Sequence, residues 1–450
     1  MEIRAKAAVL CLCVAVLAAP GLGAILYVDA AAPGANDGTS WANAFRDLQG
    51  ALAQAGAGDE IRVAQGVYRP DRGAGDRKAT FQLKSGVKVY GGYAGYGQAD
   101  PQARDPKTQP SILSGDLLGN DVPLDASSAA VIRDMVAAEG RQDNSYAVVT
   151  GSGADANALL SGFTVTGGVA NAPQWPVLYS GRGAGLYLLS GAPAIEDCTF
   201  RDNLSAEGGA GVACHQASPS FVRCTFTRNF SLRNGGAMSN WGRPTNPFGV
   251  ALDQPIAVSQ CLFTENRSDD NREEELGSFV NGYGGAIYSY DCDLAVTGSS
   301  FQANGGCFVG GAICNDASAK AQIADSNFVA NVARDRGGAI YNFRGSVLGL
   351  TRCLFLQNLA PDEGAAVQST EAQVTAVQCR FHGNSANRGG AVSSTESEVT
   401  LLNSVFTGNT AWDLGGALAI DSSEAEVIHC TFTGNTAPEG AAIGLDSSNP

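Results

Sequence analysis

The chain has 450 residues, of which 57 are glycine, 16% are charged and 44% are hydrophobic, and its formal net charge is -15. Glycine is far commoner than the usual share of about one in fourteen, and no collagen triplet accompanies it, which excludes a triple helix. The excess of negative charge argues against a nucleic-acid backbone or an anionic membrane surface as partner.

The N-terminal segment has the three parts of a secretory signal. Arg4 and Lys6 precede an apolar run that ends near Ala19, and the small residues of "GLGA" follow up to Ala24. This pattern predicts a signal peptide over residues 1–24 that is too short to span a bilayer; a buried first helix is the alternative. No later apolar run approaches about 18 residues, so we expect an exported protein without a transmembrane helix.

Residues 25–60 are predicted to form a strand and a capping helix. The apolar side chains at Phe45, Leu48, Leu52 and Ala55 fall on one helical face, with Ser40 as the expected N-cap. A helix at this point would cover the open end of a sheet stack and prevent pairing of its exposed edge.

Residues 61–450 are predicted to form one parallel β-helix domain, and from Phe200 onward two tetrads recur in it. The Phe-x-x-Asn tetrad occurs at Phe200, Phe226, Phe263, Phe301, Phe328, Phe355, Phe381, Phe406 and Phe432. A Gly-Gly-Ala-aliphatic tetrad, or a close variant, begins at Gly235, Gly284, Gly310, Gly337, Gly364, Gly389, Gly415 and Gly440. From Asn304 onward, successive asparagines of the first tetrad are 27, 27, 26, 25 and 26 residues apart.

This period predicts a parallel β-solenoid with three short strands in each coil. We expect the phenylalanines to form one internal stack. The asparagines are expected to occupy left-handed turns and to bond neighbouring backbone, and the glycine pair is expected to form a corner.

Apart from Cys11 and Cys13 in the predicted signal, the cysteines divide into two groups. Six share one coil position at which serine stands elsewhere, which predicts small inward-packed residues: Cys198, Cys224, Cys261, Cys353, Cys379 and Cys430. Four lie off that position and are the better candidates for disulfide bridges in an oxidising compartment: Cys214, Cys292, Cys307 and Cys314.

The Gly-Gly-Ala strands indicate a candidate binding face. Their fourth residue is always apolar and should face the core, while the fifth and seventh residues vary and should face solvent. Aromatic residues and one aspartate collect there over a few coils, and we predict that they bind ligand: Trp241, Tyr288, Tyr290, Tyr341, Phe343 and Asp316.

Two insertions, over about 241–252 and 268–280, interrupt the period beside these residues. They could wall a groove with an aromatic floor, the usual shape for gripping sugar rings. The alternative is that exposed aromatic residues merely decorate the sheet and that the insertions are neutral.

The two tetrads resemble the passenger repeats of chlamydial polymorphic outer-membrane proteins. The N-terminal stretch "LYVDAAAPGANDGTSWANAFRDLQGALAQAGAGDEIRVAQGVY" is similar to the opening of secreted bacterial pectin-lyase-like proteins. These resemblances imply an all-β fold, a right-handed single-stranded parallel β-helix. They do not imply one activity, because that superfamily contains lyases, hydrolases, epimerases and non-catalytic adhesion proteins.

The C-terminus departs from the passenger pattern, since no translocating barrel follows the repeats. The chain stops at "GAAIGLDSSNP", just after a further coil opens. We therefore expect either a fragment of a longer protein, with an anchor or barrel outside this chain, or a partner that covers the sheet edge.

Candidate catalytic and metal-binding residues are few. The acidic insertion contains Asp269, Asp270, Glu273 and Glu274, which could chelate Ca²⁺ or simply form a solvated charge run. A second candidate for Ca²⁺ is "GDLLGND", with Asp116, Asn120 and Asp121.

Arg243, Arg344 and His215 are the candidates for a catalytic base. The Arg-x-Pro-x-x-Arg and Gly-His-Gly signatures of pectate lyases and polygalacturonases do not occur.

The sequence leaves two functional hypotheses. The first is a secreted or cell-surface β-helix that binds a polysaccharide or a cell-surface glycan and does not catalyse a reaction. The second is a calcium-assisted polysaccharide lyase, or a related carbohydrate-active enzyme, that acts on uronate-containing polymers.

Overall fold

The computed structural model describes residues 23–123, 138, 140–172, 181–243, 254–268 and 282–446. In each coil three strands follow one another, as in Val347–Thr351, Leu354–Leu356 and Val367–Thr370, and each pairs in parallel with its counterpart one coil away. The predicted fold class, an all-β right-handed parallel β-helix, is confirmed.

Equivalent strands of successive coils form three long parallel sheets. Sheet 1 contains Ile25–Val28, Glu60–Ala64, Lys88–Tyr93, Leu159–Ser161, Ala194–Glu196, Ser220–Val222, Ile256–Ser259, Asp293–Thr297, Lys320–Ala324, Val347–Thr351, Gln373–Val377, Glu398–Leu402 and Glu424–Ile428. Sheet 2 contains Gly66–Tyr68, Ser111–Ser114, Phe163–Thr166, Thr199–Arg201, Thr225–Thr227, Leu262–Thr264, Ser300–Gln302, Asn327–Val329, Leu354–Leu356, Arg380–His382, Val405–Thr407 and Thr431–Thr433. Sheet 3 contains Phe81–Gln82, Val149–Thr150, Leu186–Leu189, Val212–His215, Met238–Trp241, Ile287–Tyr290, Ile313–Asp316, Ile340–Phe343, Val367–Thr370, Val392–Thr395, Leu418–Asp421 and Ile443–Asp446.

Short strands extend the turn between sheets 2 and 3. They form a four-stranded ladder of Val169–Ala170, Leu204–Ser205, Phe230–Ser231 and Arg267–Ser268, and a pair of Ser385–Arg388 with Thr410–Leu414. The signal expected over 1–24 and both insertions lie for the most part outside the described residues.

The phenylalanines form the single internal column that the repeat predicts. From Phe200 to Phe432 the ring centroids of neighbouring coils are 4.6–5.2 Å apart and the rings are within 8° of parallel. Phe355 in the middle of this column is fully buried. Burial of one such side chain stabilises the fold by about 1.5–3 kcal/mol.

The asparagines form a second internal column and are not the left-handed residues that we expected. In one coil the residue with a positive φ is Ala330 at 53°, directly before Asn331. This leaves the side chain of Asn331 buried, where its Nδ2 donates to Oδ1 of Asn358 at 3.0 Å and to the carbonyl oxygen of Phe301 at 3.0 Å. A buried amide is stable here because both of its polar ends are hydrogen-bonded.

The glycine pair forms a corner that no other residue could form without strain. Gly337 has a φ of 62°, and a Cβ at this position would lie 2.6 Å from the carbonyl oxygen of Ile340. A Cβ on Gly338 would lie 2.4 Å from the carbonyl oxygen of Ala365 in the next coil. The chain therefore turns tightly into each strand of sheet 3.

The capping helix is shorter than predicted. It spans Leu48–Gln54, and its N-cap is Asp47, whose side chain accepts from the backbone N–H of Gly50 at 2.8 Å. Ser40 was the wrong choice, because its hydroxyl accepts from Asn43 within a preceding turn. Phe45 precedes the helix and bridges to Val28 of sheet 1.

The disulfides expected among the off-column cysteines are absent, since every cysteine in the described ranges is a free thiol. Cys214 belongs to the main core, whereas Cys314 lies in a separate cluster on the other side of sheet 3, so the sheet divides them. The cysteines of the shared coil position do pack inward. The thiol of Cys353, for example, donates to the carbonyl oxygen of Ile323 at 3.5 Å.

Candidate functional site

The structure places the predicted ligand-binding residues on the outer face of four successive strands of sheet 3. The strand register aligns Tyr288 with Cys314 and Cys314 with Tyr341 in one row. In the second row it aligns Trp241 with Tyr290 and Tyr290 with Asp316. We call these outward aromatic side chains the aromatic face; they are Trp241, Tyr288, Tyr290, Tyr341 and Phe343.

One expectation about this face is wrong. The fifth residue of the Gly-Gly-Ala strands does point away from the core, but it is buried, with Tyr288 3% and Tyr341 7% exposed. The residues before each glycine pair, Tyr283 and Val309 among them, form their own parallel row and pack against it. Solvent therefore reaches the seventh residues, such as Tyr290, more than the fifth.

Most ring faces of the aromatic face are occupied by neighbouring side chains. The guanidinium of Arg182 lies 4.6 Å from the Trp241 ring centroid, and the Tyr290 ring stacks on Trp241 at 4.9 Å. Trp241 also donates from Nε1 to the hydroxyl of Ser239 at 2.8 Å. Trp241 is consequently fixed in place, and mainly the edge of its indole ring faces solvent.

The stack is interrupted in the coil of Cys314 and Asp316. These short side chains stand where the coils on either side carry Tyr288 and Tyr290, or Tyr341 and Phe343. A cleft of about 390 Å³ opens there, and its lining residues are Tyr283, Phe308, Val309, Cys314, Asp316, Asp335, Arg336, Tyr341, Phe343 and Arg344. We call this cleft the notch.

The sequence reasoning missed several residues of the notch. Tyr283, Val309 and Arg336 each directly precede a glycine pair, and that constant offset was the signal that could have identified them. Phe308 and Asp335 lie beside them in the chain, and only the bend of each coil shows that they reach the notch.

Asp316 forms the polar floor of the notch. It is 6% exposed, and its Oδ2 accepts a hydrogen bond from the hydroxyl of Tyr288 at 3.1 Å. Burial raises the pKa of Tyr288, which keeps that hydroxyl protonated as the donor. The other oxygen, Oδ1, has no hydrogen bond in the structure, and Arg344 Nε lies 3.7 Å from it.

His215 lies at the other end of the aromatic face, one strand before Trp241 in the same row. Burial and the neighbouring Arg182 lower the pKa of His215 to about 4, so the imidazole is neutral at pH 7. Its Nε2 lies 3.0 Å from Arg182 Nη1, and this nitrogen therefore accepts the hydrogen bond. His215 remains a candidate base, and the lone pair of its Nε2 already accepts a hydrogen bond from Arg182.

The two candidate arginines occupy different surroundings. Arg243 donates to the carbonyl oxygen of Ser318 at 2.9 Å and lies 3.5–3.7 Å from Asp291 and Asp293. Arg344 lines the notch and lies 4.5 Å from the Phe343 ring centroid. Of the two, only Arg344 adjoins the cleft in the described part of the chain.

The candidate metal ligands are not brought together in the described residues. Asp269, Asp270, Glu273 and Glu274 lie outside them. In "GDLLGND", Asp116 accepts backbone N–H groups of Gly119, Asn120 and Asp121, and Asp121 accepts from Arg141 and Asn144. Both oxygens of Asp116 and Oδ2 of Asp121 are turned toward hydrogen-bond donors, whereas Oδ1 of Asp121 is buried without a partner. A Ca²⁺ site in this loop stays a prediction. No other described group of three or more His, Cys, Asp or Glu is arranged to hold a metal ion.

The fold defines the class: the chain is a parallel β-helix protein, and part of its repeat region is similar to the chlamydial polymorphic membrane protein repeat. Residues 31–240 match the family described as "Protein of unknown function (DUF1565)", and residues 260–290 match the Chlamydia polymorphic membrane protein repeat. No curated protein matches the chain. Among the described residues, no helix is long and apolar enough to cross a membrane.

Solved structures of similar fold include a surface adhesin and a glucanase. PfbA, a surface adhesin of Streptococcus pneumoniae, is 11% identical over 86% of this chain and 85% of its own, with a TM-score of 0.43. The catalytic unit of a GH87 α-1,3-glucanase from Streptomyces thermodiastaticus is 12% identical over 89% of this chain and 67% of its own, with a TM-score of 0.41. Similarity at this level carries no argument about function.

Proposed function

We propose that this protein binds glycans outside the cell through the aromatic face and the notch, and that it does not catalyse a reaction. The observation that carries the proposal is the second apolar cluster, which contains Tyr288, Cys314 and Tyr341 and lies outside the main core. A scaffold of repeated coils has no need of such a cluster on its outer surface. The notch joins aromatic walls to the charged side chains of Asp316, Asp335, Arg336 and Arg344. Aromatic walls with a few placed polar groups are common in small-molecule sites.

An extracellular or cell-surface location supports this function. The N-terminal pattern predicts export, and the match over residues 260–290 is to a membrane-protein repeat. The net charge of -15 also keeps a long exposed solenoid soluble.

The test is a glycan array probed with the native protein and with a triple variant, Trp241→Ala, Tyr290→Ala and Phe343→Ala. These side chains are partly exposed, so the variant should fold while losing at least tenfold in affinity, because the exposed part of the aromatic face is removed. Trp412→Ala is the matched control, since Trp412 is 53% exposed and lies in another part of the coil, in the strand Thr410–Leu414. The control should bind as the native protein does.

Two results would contradict the proposal. One is that the native protein binds no glycan on a broad panel, and the other is that the triple variant binds as tightly as the native protein. The lyase hypothesis is tested in the same samples. Unsaturated products released from uronate polymers, and lost with a chelator, would establish the enzyme instead.

A further inference from the structure

A second cleft lies on the outer face of sheet 2, and it shares no lining residue with the notch. Its volume is about 530 Å³, within the range of about 300–1,000 Å³ that is usual for small-molecule sites. The strand register places the lining residues Ser114, Thr166 and Arg201 in one outward row on three successive strands. None of the described residues that line it is aromatic, so a ligand would be held there by polar contacts and not by ring stacking. We call it the polar cleft.

Two arginines share one carboxylate at the polar cleft. Arg228 donates from Nε and Nη2 to the two oxygens of Asp202 at 2.8 and 2.9 Å, and Arg201 donates from Nη1 to Oδ2 at 2.7 Å. Asp202 and Arg228 meet because they occupy equivalent left-handed positions in successive coils, directly before Asn203 and Asn229. This group of three carries one excess positive charge, and the bidentate pair holds the Arg228 guanidinium in place.

Both arginines keep donor groups that no described residue uses. Within the described chain, Nε and Nη2 of Arg201 and Nη1 of Arg228 have no acceptor. The two side chains are 39% and 36% exposed, so these N–H groups can reach a ligand in the polar cleft.

The carboxylates that line the polar cleft are, in contrast, already used as acceptors. Asp116 accepts from three backbone N–H groups of its own loop, and Asp202 accepts from the two arginines. Oδ2 of Asp121 accepts from Arg141 and Asn144, and its Oδ1 is inaccessible to solvent. Three arginines and three aspartates line this cleft, so its preference rests on the unused donors and not on its net charge.

From this geometry we infer that the polar cleft binds an oxyanion, the carboxylate or sulfate group of an extracellular ligand, at Arg201 and Arg228. A guanidinium presents its N–H groups in a planar fork that matches such a group. The hydroxyl of Thr166, in the same outward row as Arg201, is placed to contact a neighbouring polar group of the ligand. This inference goes beyond the proposed function, because the polar cleft lies on another sheet and contains no residue of the aromatic face.

The test is calorimetric titration with two acidic probes and one neutral probe. Hexagalacturonate carries carboxylates, a κ-carrageenan hexasaccharide carries sulfates, and cellohexaose carries neither group. We expect the native protein to bind at least one acidic probe, and Arg201→Gln and Arg228→Gln each to weaken that binding by about tenfold or more, because a charge-assisted hydrogen bond is lost. Neither variant should change the affinity for cellohexaose. Added salt should weaken binding of the acidic probe, because the arginines are partly exposed.

Arg223→Gln is the matched control. Arg223 makes the same bidentate pair with Asp197, at 2.7 and 2.9 Å, and its side chain is 47% exposed. It does not line the polar cleft. The control should therefore bind the acidic probe as the native protein does.

Weaker binding of an acidic probe in either cleft variant, with Arg223→Gln unchanged, supports the inference, and the probe that binds identifies the carboxylate or the sulfate. The inference is overturned if neither acidic probe binds, if both cleft variants bind as the native protein does, or if Arg223→Gln loses as much as they do. Failure of the proposed function gives a different result, since the triple variant of the aromatic face then binds every glycan as the native protein does. Thermal melting identifies a variant that is unfolded, and the other cleft variant then decides.

Discussion

The inner and outer surfaces of the coils obey different rules. Inside, the same phenylalanine and asparagine recur in coil after coil, and each contacts its own kind above and below. Outside sheet 3, Tyr288, Cys314 and Tyr341 follow one another in a single row although they differ in size and chemistry. Repetition thus identifies the residues that hold the coils together, and a local break in repetition identifies the candidate site.

The largest expected effect comes from the inner phenylalanine column. Phe355→Ala removes a fully buried ring stacked between Phe328 and Phe381, and should lower the free energy of unfolding by about 3–5 kcal/mol. Phe343→Ala, on the outer surface, is the matched substitution and should cost less than about 1 kcal/mol. Denaturant unfolding of both variants measures the difference. Equal losses would show that the outer surface also holds the fold.

The asparagine column should come next. Asn358→Ala leaves the amide of Asn331 without its acceptor and the carbonyl oxygen of Phe328 without its donor. Because these groups are buried, we expect a loss of about 2–4 kcal/mol in the same unfolding experiment. The control is Asn327→Ala, an exposed asparagine of sheet 2, which should leave stability nearly unchanged. A small loss for Asn358→Ala would mean that water replaces the amide in the column.

The smallest expected effect is a pH dependence at His215. The folded-state pKa of about 4 lies below the unfolded value of about 6.5, so between these values the unfolded chain binds more protons. Full linkage would lower stability by at most about 3 kcal/mol between pH 6.5 and 4. Because the imidazole is partly exposed, solvent screening should reduce this to on the order of 1–2 kcal/mol.

The control variants for this pH dependence change one partner at a time. His215→Gln should remove this contribution to the slope. Arg182→Gln should reduce it only in part, because burial is the larger cause of the lowered pKa. The measurement is the free energy of unfolding at several pH values. If His215→Gln has the same dependence of this free energy on pH as the native protein, the lowered pKa of His215 is not its cause.

The period and the identity of the repeated residues were enough to predict the coil. A buried Phe every 25–27 residues requires one coil per period. The glycine pair requires a tight turn in each coil, independently of the residues around it. The left-handed positions were not predictable from residue type. They fall on residues as different as Ala330, Gln357 and Gly383, each directly before an asparagine of the buried ladder. Because the ladder holds the asparagine side chain inside the coil, the preceding residue adopts the left-handed conformation that makes the turn.

The candidate site was only partly predictable, for a similar reason. Alternation along a strand placed Tyr288 and Tyr341 outside the core, which the structure shows. It could not show that Tyr283 and Val309 cover them, because that contact depends on how the preceding turn bends over the sheet. The unpaired oxygen of Asp316 depends on a hydroxyl one strand away and is invisible in a single sequence.

The asparagine ladder has a direction. Every amide along it, from Asn203 to Asn409, donates one hydrogen to the side-chain oxygen of the asparagine in the coil that follows. The same nitrogen donates to a main-chain carbonyl oxygen of the coil before, so the side-chain bonds all run in one direction and the main-chain bonds in the other. A whole coil can therefore be added or removed without changing the hydrogen bonds of the coils on either side. The shape of a single coil, in contrast, tolerates little change. Duplication or deletion of whole repeats is then an easy evolutionary step: the rod lengthens or shortens and the outer surface stays free to diversify.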